Sequence, residues 1–204
     1  MTLARSNVKT LAITGLMVAL TALMSFTPLG SIPTPWAAIT IAFLPTIITA
    51  ITIGFWPAVA VGASAGIFSF IRATYIVSIL QPFMLNPLVS VLPRILIAVA
   101  VFFAFHALMK LRVPKAISAA ISGAVGGITN TVLVLGAVWL FRGTAMGLEA
   151  SARIDAAASD NFNSIWTFIV FAVTANAIFE VIAYTILSMA IVMGLSRAKF
   201  MEKK

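Results

Sequence analysis

Apolar residues fall along this chain in blocks of helix length, separated by short stretches where proline, glycine and charge collect. A helix needs about 20 apolar residues to cross the hydrocarbon core of a bilayer, and six blocks approach or exceed that length. They predict helices over about 9–27, 37–54, 57–73, 87–109, 115–141 and 163–195. Pro28 and Gly30 close the first block, and Pro57 suits the first turn of the third, where its missing N–H costs nothing. Only Gly54-Phe55-Trp56-Pro57 separates the second block from the third, which predicts a tight hairpin. Pro45 and Pro93 lie inside the second and fourth blocks. The last block is longer than a bilayer needs and is expected to tilt or project. The ten-residue alternation of a membrane β-barrel is absent. The expected fold class is therefore an all-α membrane protein of six transmembrane helices, with residues 1–204 forming a single integral-membrane domain.

Composition sharpens this. Of 204 residues, 62% are hydrophobic and only 9% charged, with a mean hydropathy of +1.13. That is too little charge to coat a soluble surface, so the solvent is lipid. A net charge of +8 would point to nucleic acid in a soluble domain. Here the basic residues sit at helix ends instead: Arg5 and Lys9; Lys110, Arg112 and Lys115; Arg197, Lys199, Lys203 and Lys204. With six crossings all three groups fall on one side, which the positive-inside rule makes the cytoplasm. Both termini are then cytoplasmic, the outer loops are 28–36, 74–86 and 142–162, and no nucleic-acid partner is expected. Basic residues ahead of an apolar run also occur in signal peptides. The run here ends in Ser-Phe-Thr-Pro-Leu-Gly, without a small-residue cleavage pattern, so a retained first span is expected.

Several chemistries are excluded by the residues present. Without cysteine, and with His106 as the single histidine, no thiolate or multi-histidine metal site can form. The phosphate-cradling G-x-x-x-x-G-K-[ST] loop and the H-E-x-x-H zinc motif are both missing. No enzyme, cofactor or metal is expected, and any ATP-driven work must borrow its motor from another chain.

Charge inside a span is costly and by default marks a pathway or a binding site. Arg72 lies near the outer end of the third predicted helix and Arg94 about two turns inside the fourth. Glu180 lies near the middle of the sixth. Asn130 sits mid-span in the fifth, and Asn176 precedes Glu180 by four residues, on the same helical face. At about 1.5 Å per residue, Arg94 lies roughly 10 Å and Asn130 roughly 17 Å below the outer ends of their helices. The fourth, fifth and sixth helices can thus supply one polar pocket in the outer half of the bundle. The plainer alternatives are a buried Arg94–Glu180 ion pair that fixes packing, asparagines acting as interhelical glue, and Arg72 snorkelling to the headgroups. Trp36, behind the proline-rich loop 28–36, and Phe83, in loop 74–86, are candidate lid residues over the pocket. In the first helix Ala12, Gly15, Ala19 and Ala22 form a stripe of small residues along which another helix can approach closely. Gly62 and Gly66, and Gly123 and Gly127, repeat the pattern and are expected to pack inside the bundle.

These segments resemble a known family. Ser25-Phe-Thr-Pro-Leu-Gly30, Phe68-Ser-Phe-Ile-Arg-Ala-Thr74, Val91-Leu-Pro-Arg-Ile-Leu96, Thr129-Asn-Thr-Val-Leu-Val-Leu-Gly136 and Asn176-Ala-Ile-Phe-Glu180 are similar to those of the S components of energy-coupling factor (ECF) vitamin transporters. The pantothenate-specific branch is the most similar. The resemblance implies a prokaryotic cell-membrane protein that binds its vitamin near the outer face. It also implies a transmembrane coupling subunit and two ABC ATPases as partners, with the vitamin delivered inward as the subunit topples. The family's helix-1 contact with the coupling subunit maps onto Gly15 and Ala19, with Ala12 and Ala22 alongside. For pantothenate, Arg94 or Arg72 would answer the carboxylate, Asn130 and Asn176 the amide and hydroxyls, and Glu180 would accept from a hydroxyl or orient an arginine. The alternatives are an S component for a hydroxymethylpyrimidine or thiamine-type ligand, and a stand-alone secondary transporter. No internal repeat or pair of broken helices supports the last.

Overall fold

The fold is taken from a computed structural model that describes residues 2–33, 38–75, 81–141, 143–145, 147–149, 152 and 165–198. Long helices dominate it: α1 (Thr2–Phe26), α3 (Phe55–Ala73), α5 (Pro87–Lys110), α6 (Lys115–Phe141) and α7 (Ile165–Arg197). Among the described residues these five are long and apolar enough to cross a membrane. Two shorter helices, α2 (Leu44–Thr52) and α4 (Gln81–Met84), join them, with an antiparallel pair of three-residue strands, β1 (Ser31–Pro33) and β2 (Ala38–Thr40).

The predicted helices over 57–73, 87–109, 115–141 and 163–195 form within two residues of the expected ends, and α1 starts earlier than residue 9. Local chemistry explains the sharp starts. Asn86 caps α5 by accepting from the Leu88 N–H at 3.0 Å, and Pro87 fills the first turn. Gly54, at φ 142°, makes the turn from α2 into α3 in a conformation that favours glycine.

The second predicted helix, 37–54, is the one that changes. Its first part is strand β2, paired with β1 in the register Ser31↔Thr40 and Pro33↔Ala38. Helix begins only at Leu44, with Pro45 in its first turn. Nine residues of helix rise only about 14 Å, so α2 alone does not span a bilayer. The strand wins because its backbone groups are claimed from outside the segment. The amides of Ile41 and Ala42 donate to the Gly30 carbonyl at 2.8 and 3.2 Å, and Thr40 is held by α7. The helical class stands, with this hairpin as an addition to it.

The short helix α2 is enclosed along most of its length. Every residue from Pro45 to Ile51 is buried, and α2 packs against α1, α3, α5, α6 and α7 alike. The long helices contact one another in the order α1–α3–α5–α6–α7. Glycine allows the closest approaches. A Cβ on Gly62 would lie 2.7 Å from the Arg94 carbonyl oxygen, and one on Gly66 would lie 2.5 Å from Val91 Cα. On Gly123 it would meet the Tyr184 carbonyl oxygen at 2.4 Å. These glycines pack internally, as their spacing predicts. Gly15 differs, since nothing lies within 4 Å of a Cβ built there. Ala12, Gly15 and Ala19 are all exposed and Ala22 partly so, so the stripe on α1 is not consumed by internal packing.

Several hydroxyls inside the helices bond to their own helix, as lipid favours, whereas those of Thr46 and Ser122 are buried without a partner. Thr21, Thr49, Thr131 and Thr185 each donate to the carbonyl four residues back. Ser188 instead donates across to the Ala119 carbonyl at 2.8 Å and ties α7 to α6.

Candidate functional site

Four polar side chains named from the sequence meet in one place, on three helices. Glu180, on α7, is 4% exposed, Arg94, on α5, 6%, and Asn130, on α6, 7%. Glu180 is the hub. Its Oε2 accepts from Asn130 Nδ2 at 2.9 Å, and its Oε1 accepts from Asn176 Nδ2 at 3.4 Å. The same Oε1 accepts from the backbone N–H of Thr40 at 3.0 Å. A buried carboxylate is tolerable only when such donors replace its water, and these come from β2, α6 and α7.

Arg94 is held differently. Its Cζ sits 4.7 Å from the centre of the Phe43 ring, a cation–π contact. Its Nε and Nη1 are buried and make no hydrogen bond. Among the described residues no ion pair joins it to Glu180, although the charges are close enough to attract. The direct Arg94–Glu180 pair, the plain structural alternative, is thus not formed. Buried guanidinium donors are normally satisfied. Two left over, beside the unpartnered Oδ1 of Asn130, give the site two donors and an acceptor that no protein group uses. A carboxylate is the planar two-acceptor group that fits a guanidinium edge.

The other expected contacts separate. Phe83 is fully buried on α4, which packs against α3, α5 and α6. Beside it, Gln81 Nε2 donates to the Ala73 carbonyl at the end of α3 at 2.7 Å. Arg72 lies partly buried in the last turn of α3 and is not among the groups gathered around Glu180. Trp36 lies outside the described residues, as do the charges Arg142, Arg153, Asp155 and Asp160 of the last outer loop.

Sequence reasoning missed three residues. Thr40 enters through its backbone, which no residue pattern reveals. Phe43 is one aromatic among many in an apolar run. Tyr184, 1% exposed, donates its hydroxyl to the Thr40 carbonyl. It could have been found, because it follows Asn176 and Glu180 at four-residue spacing on one face of α7.

A family model for the ECF transporter substrate-specific component matches residues 9–192. The chain belongs to that family. It is a multi-pass membrane protein, and members of the family are transport subunits that bind a vitamin and work with a membrane coupling subunit and ATPases. No curated protein matches the chain by sequence. Among solved structures, one of ThiT from Listeria monocytogenes superposes with a TM-score of 0.63 at 19% identity. The match covers 94% of this chain and 97% of that one, so the substrate-specific component shares its fold over nearly its whole length.

Proposed function

We propose that this substrate-specific component captures pantothenate at its outer face, between α5, α6 and α7 and beneath the β1–β2 hairpin. The coupling subunit and two ABC ATPases then drive its release inward. The observation that carries the substrate is the buried Arg94 guanidinium, whose Nε and Nη1 have no partner while its face is covered by Phe43. Such a group calls for an anion. Glu180, already accepting three N–H bonds, is poorly placed to receive a cationic or amine-bearing ligand and serves to orient Asn130 and Asn176. Those amides, with the free Asn130 Oδ1, suit the ligand's own amide and hydroxyls.

In this reading the chain crosses the membrane six times, with both termini cytoplasmic. Strand β2 and α2 together make the second crossing, with α2 enclosed by five other helices so that irregular backbone beside it can be tolerated. The open stripe of Ala12, Gly15, Ala19 and Ala22 on α1 is the seat for the coupling subunit.

Binding of labelled pantothenate, thiamine and hydroxymethylpyrimidine to the purified chain tests the substrate. Saturable pantothenate binding is the expected result. Binding of thiamine or the pyrimidine in its place would overturn the substrate assignment. Uptake by vesicles that contain this chain alone, without ATPases, would overturn the importer reading.

A further inference from the structure

The segment that leads from the hairpin into α2 is gripped from two sides. On one side the Gly30 carbonyl takes the amides of Ile41 and Ala42. On the other, α7 holds both backbone groups of one residue: the Thr40 N–H donates to Glu180, and the Thr40 carbonyl accepts from the Tyr184 hydroxyl. Three residues beyond Thr40, the Phe43 ring covers the Arg94 guanidinium. A path therefore runs from the Tyr184 hydroxyl to Thr40, along the backbone of residues 40–43, and through the Phe43 ring to Arg94. Tyr184 and Phe43 are both buried in the same apolar cluster, so neither can change rotamer freely.

We infer that Tyr184 is a positioning residue for substrate binding: by fixing residues 40–43 it sets where Phe43 presses on Arg94, and hence where the guanidinium donors point. Tyr184 need not touch the vitamin. Its hydroxyl acts through the backbone of another element, and its loss lets that element drift while the ring still fills the core. A bidentate contact between guanidinium and carboxylate is far more sensitive to such drift than a contact with a neutral hydroxyl. This inference rests on the anionic-ligand reading above only for its effect on the vitamin. The grip on residues 40–43 stands apart from it.

The experiment compares the purified full chain with Tyr184→Phe, which removes one oxygen, and with Phe43→Leu, which acts one step nearer Arg94. Amide hydrogen exchange of ligand-free protein is read on peptides covering residues 40–43. Loss of one buried hydrogen bond predicts exchange there about tenfold faster in Tyr184→Phe, with peptides from α5 and α6 unchanged. No change at 40–43, or acceleration throughout the protein, overturns the inference, the latter because it makes Tyr184 a general packing residue. Binding is then measured with pantothenate and with its neutral analogue, in which a primary alcohol replaces the carboxylate. Both variants are expected to weaken pantothenate about tenfold and the alcohol much less. Equal weakening of the two ligands overturns the link to Arg94. If the unaltered chain binds no pantothenate, the substrate reading and the link to the vitamin both fall, and the exchange data alone judge the grip.

Discussion

Replacing Arg94 with methionine separates binding from folding at one position. The side chains are of similar length, so the cavity left is small, and what is removed is the charge and its donors. Without ligand, removal relieves the cost of burying a guanidinium whose Nε and Nη1 are unsatisfied, an effect of several kcal/mol. Against this stand the lost contact with Phe43, worth up to about 2 kcal/mol when desolvated, and the lost attraction of Glu180, a few kcal/mol at intermediate dielectric. The hydrogen bonds to Glu180 from Thr40, Asn130 and Asn176 remain. The opposing effects leave a net change below about 2 kcal/mol. For a chain of this size each kcal/mol moves the melting midpoint by about 2–4 °C, so the ligand-free midpoint should stay within about 8 °C of the unaltered protein. Binding behaves differently. Losing one side of a buried charge pair costs about 2–5 kcal/mol, which is roughly 30-fold to several thousand-fold in Kd. Thermal unfolding in detergent, with and without pantothenate, and equilibrium binding by calorimetry read both quantities. A variant that melts more than 10 °C lower yet binds as tightly as before would refute the argument and make Arg94 a packing residue.

Three further outcomes follow from the packing. Gly123→Ala should lower the melting midpoint clearly, by about 1–3 kcal/mol of overpacking, because its Cβ would meet the Tyr184 carbonyl oxygen at 2.4 Å; Gly66→Ala should do the same against Val91. Gly15→Leu should leave pantothenate binding by the isolated chain unchanged, since nothing lies near that position, but should abolish co-purification with the coupling subunit. Ser188→Ala removes one interhelical hydrogen bond and should cost only about 0.6 kcal/mol, the average for such bonds in membranes, read as a shift of the melting midpoint by a few degrees at most.

The long helices were legible because lipid imposes one strong rule, a sufficient apolar run, and because proline, glycine and Asn86 mark their ends. The same rule failed at residues 37–54. That stretch is as apolar as the others, and the groups that keep its first part extended lie far off in sequence: Thr40 and Glu180 are separated by 140 positions. The polar centre was legible for a related reason. Arg94, Asn130, Asn176 and Glu180 stand out against apolar neighbours, whereas Phe43 and Tyr184 look like ordinary core. A direct Arg94–Glu180 pair is the plainer alternative that opposite charges offer. The structure satisfies Glu180 with amides instead, a choice that depends on helix rotation and not on composition. Arg72 marked the end of a helix and nothing more within the gathered centre.

The enclosure of α2 has a consequence for how the protein is made. A helix of nine residues is too short to be accepted by the membrane as a span in its own right, and α7, which fixes the strand before it, is the last helix among the described residues. During synthesis at about 5–20 residues per second, roughly 7–28 s pass between the appearance of Thr40 and that of Glu180. For that interval residues 38–52 lack the α7 contacts that hold Thr40 and complete their enclosure. A ribosome stalled before α7 would therefore hold a chain whose centre is still unformed.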